Sequence, residues 1–372
     1  MKLLVIASTS AISTSNYFIA AFKRSDHEVM VCSDNLGPAV DVHASGVINV
    51  QALLQKRRFA ADAVIFIEGG SMRMLPDTTC AKSYLTAWYA IDTHMDFDKH
   101  VRIGRLFDLT FVAQKQYVAA LIAAGVSAAQ WLPLAFATEL ATVTGHLRSI
   151  DIAYVGSENT GMHSQRSAML NALRATFAST RFGRASPIEM GRIYSNAKLV
   201  FNRSVNNDVN MRFFEAMGAG AVLLTDRIVE NGVEDLFVDG LHYLTYRSEE
   251  DLVRLARELL ADPARLREIG DAARDCVLAR HTYQHRADEM VLALQAATKR
   301  SYPRTSDLFA ACLSLGLTAD ALRAAARAFS QIGGGRFQRI LGVSVGRLLK
   351  ILAAPAAWVD RLRLAASKSR HD

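Results

Sequence analysis

Tyr194–Asp226 reads YSNAKLVFNRSVNNDVNMRFFEAMGAGAVLLTD. Lys198–Phe201 is a short apolar run that ends in polar residues, the pattern of a buried strand. Asp208 is placed to cap a helix starting at Val209, which runs to about Met217 and stops in Gly218-Ala219-Gly220. A second apolar run, Ala221–Thr225, follows at once. Strand, loop, helix, glycine turn and strand make one unit of a parallel sheet.

At about 100° per residue, Asp208, Arg212 and Glu215 share one stripe of that helix, while Val209, Phe213, Ala216 and Met217 share the face that packs on the sheet. On an isolated helix the polar stripe would be a solvated face, with an Arg212–Glu215 pair worth a few tenths of a kcal/mol. The preceding loop changes that weighting. Asn202, Arg203, Asn206, Asn207 and Asn210 crowd the carboxyl end of the first strand, which is where α/β sheets bind ligands. The helix N-terminus adds free N–H groups and partial positive charge suited to a phosphate.

At these residues the sequence resembles the C-terminal half of GT-B glycosyltransferases, in particular the group related to spore maturation protein CgeB. The matching pieces are Asn202-Arg203, Asn210-Met211-Arg212-Phe213-Phe214-Glu215-Ala216, Gly220-Ala221 and Thr225-Asp226. The resemblance implies that Glu215 holds the ribose of a sugar nucleotide. Related retaining enzymes often carry a second Glu eight positions earlier; this chain has Asn207 there. The blocks YAIDTHMD, FDLTFVAQKQYV and WLPLAF in the first half, DIAYVGS followed by Arg166, and HTYQHR from His281 extend the similarity over roughly Ala87 to Asp288. In that family the Gly156-Ser157 turn lets the backbone approach the diphosphate. Here His163 and Arg166 stand near the turn without a Lys, so Arg203 and Arg212 are expected to supplement the positive charge.

Length and composition agree with this scale. A chain of 372 residues, 51% hydrophobic, has room for two α/β domains and an extension. The four cysteines, at 32, 80, 276 and 312, form no CxxC pair and read as reduced, buried thiols. MKLLVIAS is too short an apolar start for a secretory signal, and no run of about 20 apolar residues exists to span a membrane. The net charge of +7 is uneven: residues 299–372 carry 13 Lys/Arg against 4 Asp/Glu, leaving the rest of the chain slightly acidic. A nucleic-acid partner for the body therefore has no support.

In the first half, Lys2–Ser8, Glu28–Cys32, Asp62–Ile67, Thr86–Met95 and Asp108–Ala113 read as strands, alternating with helices at Ser15–Lys23, Val50–Arg58, Phe97–Phe107 and Tyr117–Ala124. The first β–α turn, Ser8-Thr9-Ser10-Ala11, lacks GxGxxG, which argues against a dinucleotide enzyme. Glu68 ends the third strand and is an acceptor-side candidate. Asp92, His94 and Asp96 would share one face if the fourth strand continued through them. Asp92 and His94 are then catalytic candidates as acid or base; alternatively Asp92 caps the next turn and His94 packs against Trp88 and Tyr89. Arg181-Phe182-Gly183-Arg184 reads as an exposed turn.

The expected fold is α/β with GT-B architecture: two Rossmann-like, doubly wound domains facing a cleft, plus a C-terminal helical extension. Residues 1–138 form the acceptor-side domain, 150–298 the nucleotide-sugar domain and 299–372 a basic extension. The expected donor-binding set is Gly156, Ser157, Arg166, Asn202, Arg203, Asn210, Arg212 and Glu215. The partners are a nucleotide-diphosphate sugar and an unidentified acceptor. No metal or other cofactor is expected, because helix N-termini and basic groups serve the leaving diphosphate. Competing readings are a non-catalytic sugar-nucleotide or polysaccharide-binding factor and a sugar-nucleotide epimerase. In the extension, Arg336, Arg339, Arg347 and Lys350 lie opposite Phe337, Leu341, Val345, Leu348 and Leu352. That helix either packs back on the first domain or lies on an anionic membrane. The expected location is cytoplasmic, with peripheral membrane contact in the second case.

Overall fold

The computed structural model describes residues 1–320 except 70–71, 80–82, 127, 141–147, 159–163, 205, 300–302 and 304. The first lobe contains β1 (Lys2–Ala7), α1 (Ser15–Arg24), β2 (Glu28–Ser33), β3 (Val42–His43), β4 (Gly46–Asn49), α2 (Val50–Arg57) and β5 (Ala63–Ile67). It continues through β6 (Met74–Asp77), β7 (Leu85–Ala90), α3 (Phe97–Gly104), β8 (Leu109–Val112), α4 (Val118–Ala123) and β9 (Ala129–Trp131). Its main sheet has the order β3-β2-β1-β5-β7-β8-β9, and β4 pairs with β6 alongside. Every pairing is parallel, with Val5 between Val31 and Ile65. Sheets covered on both faces need continuous apolar strands rather than alternating ones. Leu3–Ala7 and Ala63–Ile67 meet that need, since every side chain in both runs is buried.

The second lobe contains β10 (Ile150–Val155), α5 (Ser164–Thr176), β11 (Thr180–Gly183), α6 (Pro187–Asn196), β12 (Ala197–Phe201) and α7 (Met211–Gly218). After these come β13 (Val222–Asp226), α8 (Val233–Leu236), β14 (Tyr243–Tyr246), α9 (Glu249–Ala261) and α10 (Pro263–Arg280). The sheet order is β11-β10-β12-β13-β14, again all parallel. The chain therefore leaves β10 to one side for β11 and returns on the other side for β12. Such a switch opens a crevice at the carboxyl ends of the two central strands. In the first lobe the same switch falls between β1 and β5.

The lobes are joined through a shared interior. One apolar cluster includes Leu3 and Tyr89 of the first lobe, Phe213 and Leu223 of the second, and Leu294. The segment after β9 interlocks with the end of α10: Phe136 N donates to His281 O at 2.8 Å and Tyr283 N to Phe136 O at 3.0 Å. Arg286, buried on α11 (Tyr283–Ala296), donates to Pro133 O at 2.9 Å. The histidines of HTYQHR do the packing and capping expected of them. His281 Nδ1 accepts from Arg286, and His285 closes a capping box with Thr282.

α12 (Thr305–Ser314) returns to the first lobe, where Leu308, Ala311 and Cys312 are buried in the cluster holding Leu4, Trp88 and Ile103. The start of the extension thus packs on the body. The 336–352 helix and its membrane alternative lie outside the described residues. Among the described residues, no helix is long and apolar enough to cross a membrane.

Candidate functional site

The crevice between β10 and β12 is built around Arg212. Asn210, not Asp208, caps α7: its Oδ1 accepts from Arg212 N at 3.1 Å, and the helix begins at Met211. The short loop amide wins because it sits two residues before the N–H it serves. Asp208 belongs to the loop, so it is not on the helical stripe. From the first turn, the Arg212 guanidinium reaches down onto the strand ends. Nη1 donates to Asn202 Oδ1 at 2.7 Å, Nη2 to Val155 O at 2.8 Å and Nε to Tyr194 OH at 3.2 Å. It also lies over the Tyr154 ring, 4.5 Å from the centroid. Three of its five N–H donors are therefore committed to the protein.

That network explains Gly156 without a ligand. A Cβ there would lie 2.7 Å from Tyr154 OH and 2.9 Å from Arg212 Nη2. Asn202 is fully buried; it also accepts from Asn210 Nδ2 at 3.1 Å and donates to Thr225 Oγ1 at 3.0 Å. Asn202, Asn210 and Arg212 tie β10, β12 and α7 together, because buried polar groups must be satisfied. Ser157 O accepts from Tyr154 OH at 3.1 Å and Arg166 Nη1 at 3.4 Å. Arg166 is nearly buried and its Nε lacks a partner. Arg203 is part-exposed beside Asp226 (3.7 Å) and donates to Gln165 at 2.6 Å. His163 lies outside the described residues.

Glu215 stands one turn beyond Arg212. It keeps solvent access although protein surrounds it deeply, the position of a group on a cleft floor. Among the described residues, no donor bonds its carboxyl. Burial, only partly opposed by the charge of Arg212, pushes it up to about 7. Its charge is felt by Tyr17 on α1, and Thr14 Oγ1 lies 3.6 Å from Met211 Sδ, so the starts of α1 and α7 face each other across the lobes. One side of the cleft is closed by Lys115–Asp235 at 2.7 Å and by Gln116, which takes a 3.5 Å bond from Asn207. Asn207 itself is held by the backbone: its Oδ1 accepts from Val229 N at 2.8 Å and its Nδ2 donates to Val229 O. A carboxylate at that position could not make the second bond.

On the first lobe, β7 ends at Ala90, and residues 93–95 form a turn. Asp92, His94 and Asp96 therefore do not share a strand face. Asp96 caps α3 through Lys99 N at 3.0 Å, Asp92 is exposed, and His94 is half-buried with an unpartnered Nδ1. Burial lowers the proton affinity of His94, and the charge of Asp92 opposes this. It is His100, not His94, that packs against Trp88, with ring centroids 5.1 Å apart. Glu68 lies beneath this turn rather than in the open cleft. Its Oε2 accepts from Ile91 N at 2.7 Å and Asp92 N at 3.4 Å, and its Oε1 meets His100 Nε2 at 3.0 Å. Burial pushes Glu68 up to about 7 and, acting first with Lys99 second, takes His100 down to about 3. Both shifts favour the uncharged forms, so Glu68 and His100 share the hydrogen bond as a pair rather than as two buried opposite charges. Glu68 thus positions the Asp92 turn.

Sequence reasoning passed over Tyr17, Gln114 and Asp208 as cleft groups. Gln114 stands inside the FDLTFVAQKQYV block but was not singled out within it, and Asp208 was read as a cap. Among the described residues no group of three His, Cys, Asp or Glu side chains gathers as metal ligands.

Residues 148–291 match the family model described as "Glycosyl transferase-like". A search of curated proteins found no match. Solved structures align with most of the chain. The Anabaena protein HepE, solved with UDP-glucose, aligns with 80% of this chain and 100% of its own at 12% identity, TM-score 0.56. Sucrose-phosphate synthase from Thermosynechococcus elongatus aligns with 79% of this chain and 98% of its own at 12% identity, TM-score 0.53. The fold is GT-B. A glycosyltransferase from Rickettsia africae shares it at 10% identity and TM-score 0.55, aligning with 79% of this chain and 97% of its own. In this GT-B chain the matched segment contains the whole β10–β12 crevice, α7 and Glu215.

Proposed function

We propose that the protein is a glycosyltransferase that moves a sugar from a nucleoside-diphosphate donor to an acceptor hydroxyl. The observation that carries this reading is the Glu215 carboxyl: on a half-buried residue, bonded by no donor among the described residues, on the helix that follows a crevice strand of a parallel sheet. Adjacent ribose hydroxyls would supply the donors it lacks. The Glycosyl transferase-like match over this segment and the HepE structure with UDP-glucose support the same reading. The diphosphate would meet the Gly156-Ser157 turn, the start of α7, the unpartnered Nε of Arg166 and the part-exposed Arg203. Arg212 would act from behind, adding positive charge while it holds the strands. Those groups would carry the charge of the leaving diphosphate without a metal.

A thermal-shift series with UDP-, GDP-, ADP- and CMP-linked sugars tests this. Binding to the native state alone raises stability by about 2.7 kcal/mol at a hundredfold excess over Kd. At least one donor should stabilise the wild type, and Glu215→Ala should lose most of that shift. No shift with any of them removes the proposal. A shift without turnover would favour the non-catalytic, sugar-nucleotide-binding reading. Activity abolished by chelator and restored by Mg²⁺ or Mn²⁺ would remove the metal-free part alone.

A further inference from the structure

Besides the buried apolar cluster, a polar seam joins the lobes. It lies between the turn Lys115–Tyr117, which links β8 to α4, and residues 229–235, which lead from β13 into α8. Its outer layer is steric. Lys115 Nζ reaches Asp235 Oδ2 at 2.7 Å and lies 5.1 Å from the centroid of the Trp131 ring. The indole is fixed in turn, with Nε1 donating to Ala113 O at 3.1 Å. Gly232, at φ 80°, lies flat against both side chains: a Cβ there would come within 2.8 Å of Lys115 Cδ and of the Trp131 ring. A residue without a side chain is what lets the lobes approach so closely.

The inner layer is made of amides. Asn231 is buried; its Oδ1 accepts from Gln116 N at 3.4 Å and its Nδ2 donates to Asn207 O at 2.7 Å. Asn207 Nδ2 donates to Gln116 Oε1 at 3.5 Å, while its Oδ1 accepts from Val229 N at 2.8 Å. The loop held in this way is reversed by two consecutive left-handed residues, Asn206 at φ 53° and Asn207 at φ 60°. Asparagine tolerates that conformation better than most side chains. Three residues on, Asn210 caps α7 and donates to Asn202 Oδ1 at 3.1 Å. A continuous path of contacts therefore runs from Gln116 of the first lobe, through Asn231 and Asn207, to the first turn of α7.

We propose that Gln116, Asn231 and Gly232 are positioning residues for the donor helix. The seating of the first lobe on this seam sets where α7, and with it Glu215, stands at the crevice; this rests on the sugar-transfer reading above. The ion pair is half-exposed and both cross-lobe bonds of Gln116 are long, so the seam adds little to global stability. Its effect is on place: the steric layer fixes the separation of the lobes, and the amide layer passes that separation to the loop that starts the helix.

The experiment follows backbone amide exchange of residues 206–217 in the full chain, together with affinity for the donor sugar that gives the largest thermal shift. Gln116→Ala should speed exchange across 206–217 by about tenfold. It should weaken donor binding by about threefold to thirtyfold and leave the urea midpoint unchanged. Gly232→Ala, which drives a methyl against Trp131, should act in the same direction and more strongly. Lys115→Arg keeps the cation and should stay within about twofold of wild type in both readouts. Lys2→Met, which breaks an exposed ion pair with Glu28 elsewhere on the first lobe, should change neither. Exchange in Gln116→Ala within about twofold of wild type overturns the inference, as does faster exchange with unchanged donor affinity. A fall in the urea midpoint that accounts for the faster exchange also overturns it, since the seam is then a brace and nothing more. Should Gly232→Ala fail to fold, Gln116→Ala decides. A wild type that no donor stabilises removes the transferase reading, and the exchange measurement still decides whether the seam holds α7.

Discussion

The two switch-point crevices share a geometry and differ in chemistry. In the first lobe, the loop after β1, STSAIST, is uncharged and hydroxyl-rich, and the segment after β5 opens with Glu68. Ser13 Oγ meets Ser15 Oγ at 2.8 Å, Asn35 donates to Ser8 Oγ at 2.9 Å, and Glu68 is buried against His100. In the second lobe, the segment after β12 supplies Arg203, α7 supplies Arg212 and Glu215, and Arg166 of α5 joins Arg212 against the Tyr154 ring. A parallel sheet provides the crevice, and the exit loops decide what it can hold. The positive charge of the second crevice matches an anion, and the first offers no comparable charge.

Removing the charged centre of each lobe should break the comparison most sharply. Arg212→Met removes three buried hydrogen bonds at once, to Asn202 Oδ1, Val155 O and Tyr194 OH, and the loss should be roughly 3–5 kcal/mol in urea unfolding. Glu68→Ala strands Ile91 N and His100 Nε2 and should cost about 2–3 kcal/mol. Equal effects would mean that the two centres are interchangeable braces.

The next effect depends on pH. Folding raises Glu215 from 4.5 to about 7, so its contribution to stability is fully present below its unfolded value. That contribution is lost as pH rises through about 7. Glu215→Gln, which mimics the neutral form, should gain stability over wild type between pH 5 and pH 8, by roughly 1–3 kcal/mol at the upper end. A difference that stays flat with pH would show the carboxyl to be an ordinary surface acid. Comparison with the variant is needed because Glu68 and Asp208 move in the same sense, while His100 and His281 oppose them below pH 6.5.

The turn glycines sharpen the contrast at smaller scale. Gly156→Ala drives a Cβ against the anchored Tyr154 hydroxyl and Arg212, and should cost about 1–3 kcal/mol. Gly69→Ala meets Ser13 Oγ at 2.9 Å, a small side chain able to rotate, and should cost under about 1 kcal/mol. Smallest in stability is Arg203→Ala: its part-exposed pair with Asp226 is worth less than about 1 kcal/mol. Donor affinity should nevertheless fall several-fold in a nucleotide titration, through lost phosphate charge.

Most of the central strands were legible because buried parallel strands need unbroken apolar runs, and KLLVIA, AVIFI, AKLVF and VLLTD are such runs. Glu215 was legible through its place in NMRFFEA. The role of Arg212 was not: helical periodicity puts it beside Glu215, but two strand ends and α6 offered three acceptors in fixed positions. The expected strand through Asp92 and His94 ended early, because Glu68 captures Ile91 N from a neighbouring strand. No local pattern reports that contact, made 23 residues away in the chain.

By itself the sequence determined which segments would be buried, where the chain would turn, and which short helix would carry the polar pair. Tertiary structure alone decided which of those polar groups the protein consumes and which it leaves open. Hydrogen-bond satisfaction is a property of neighbours in space: Arg212 found its acceptors on three separate elements, and Glu215 found no donor.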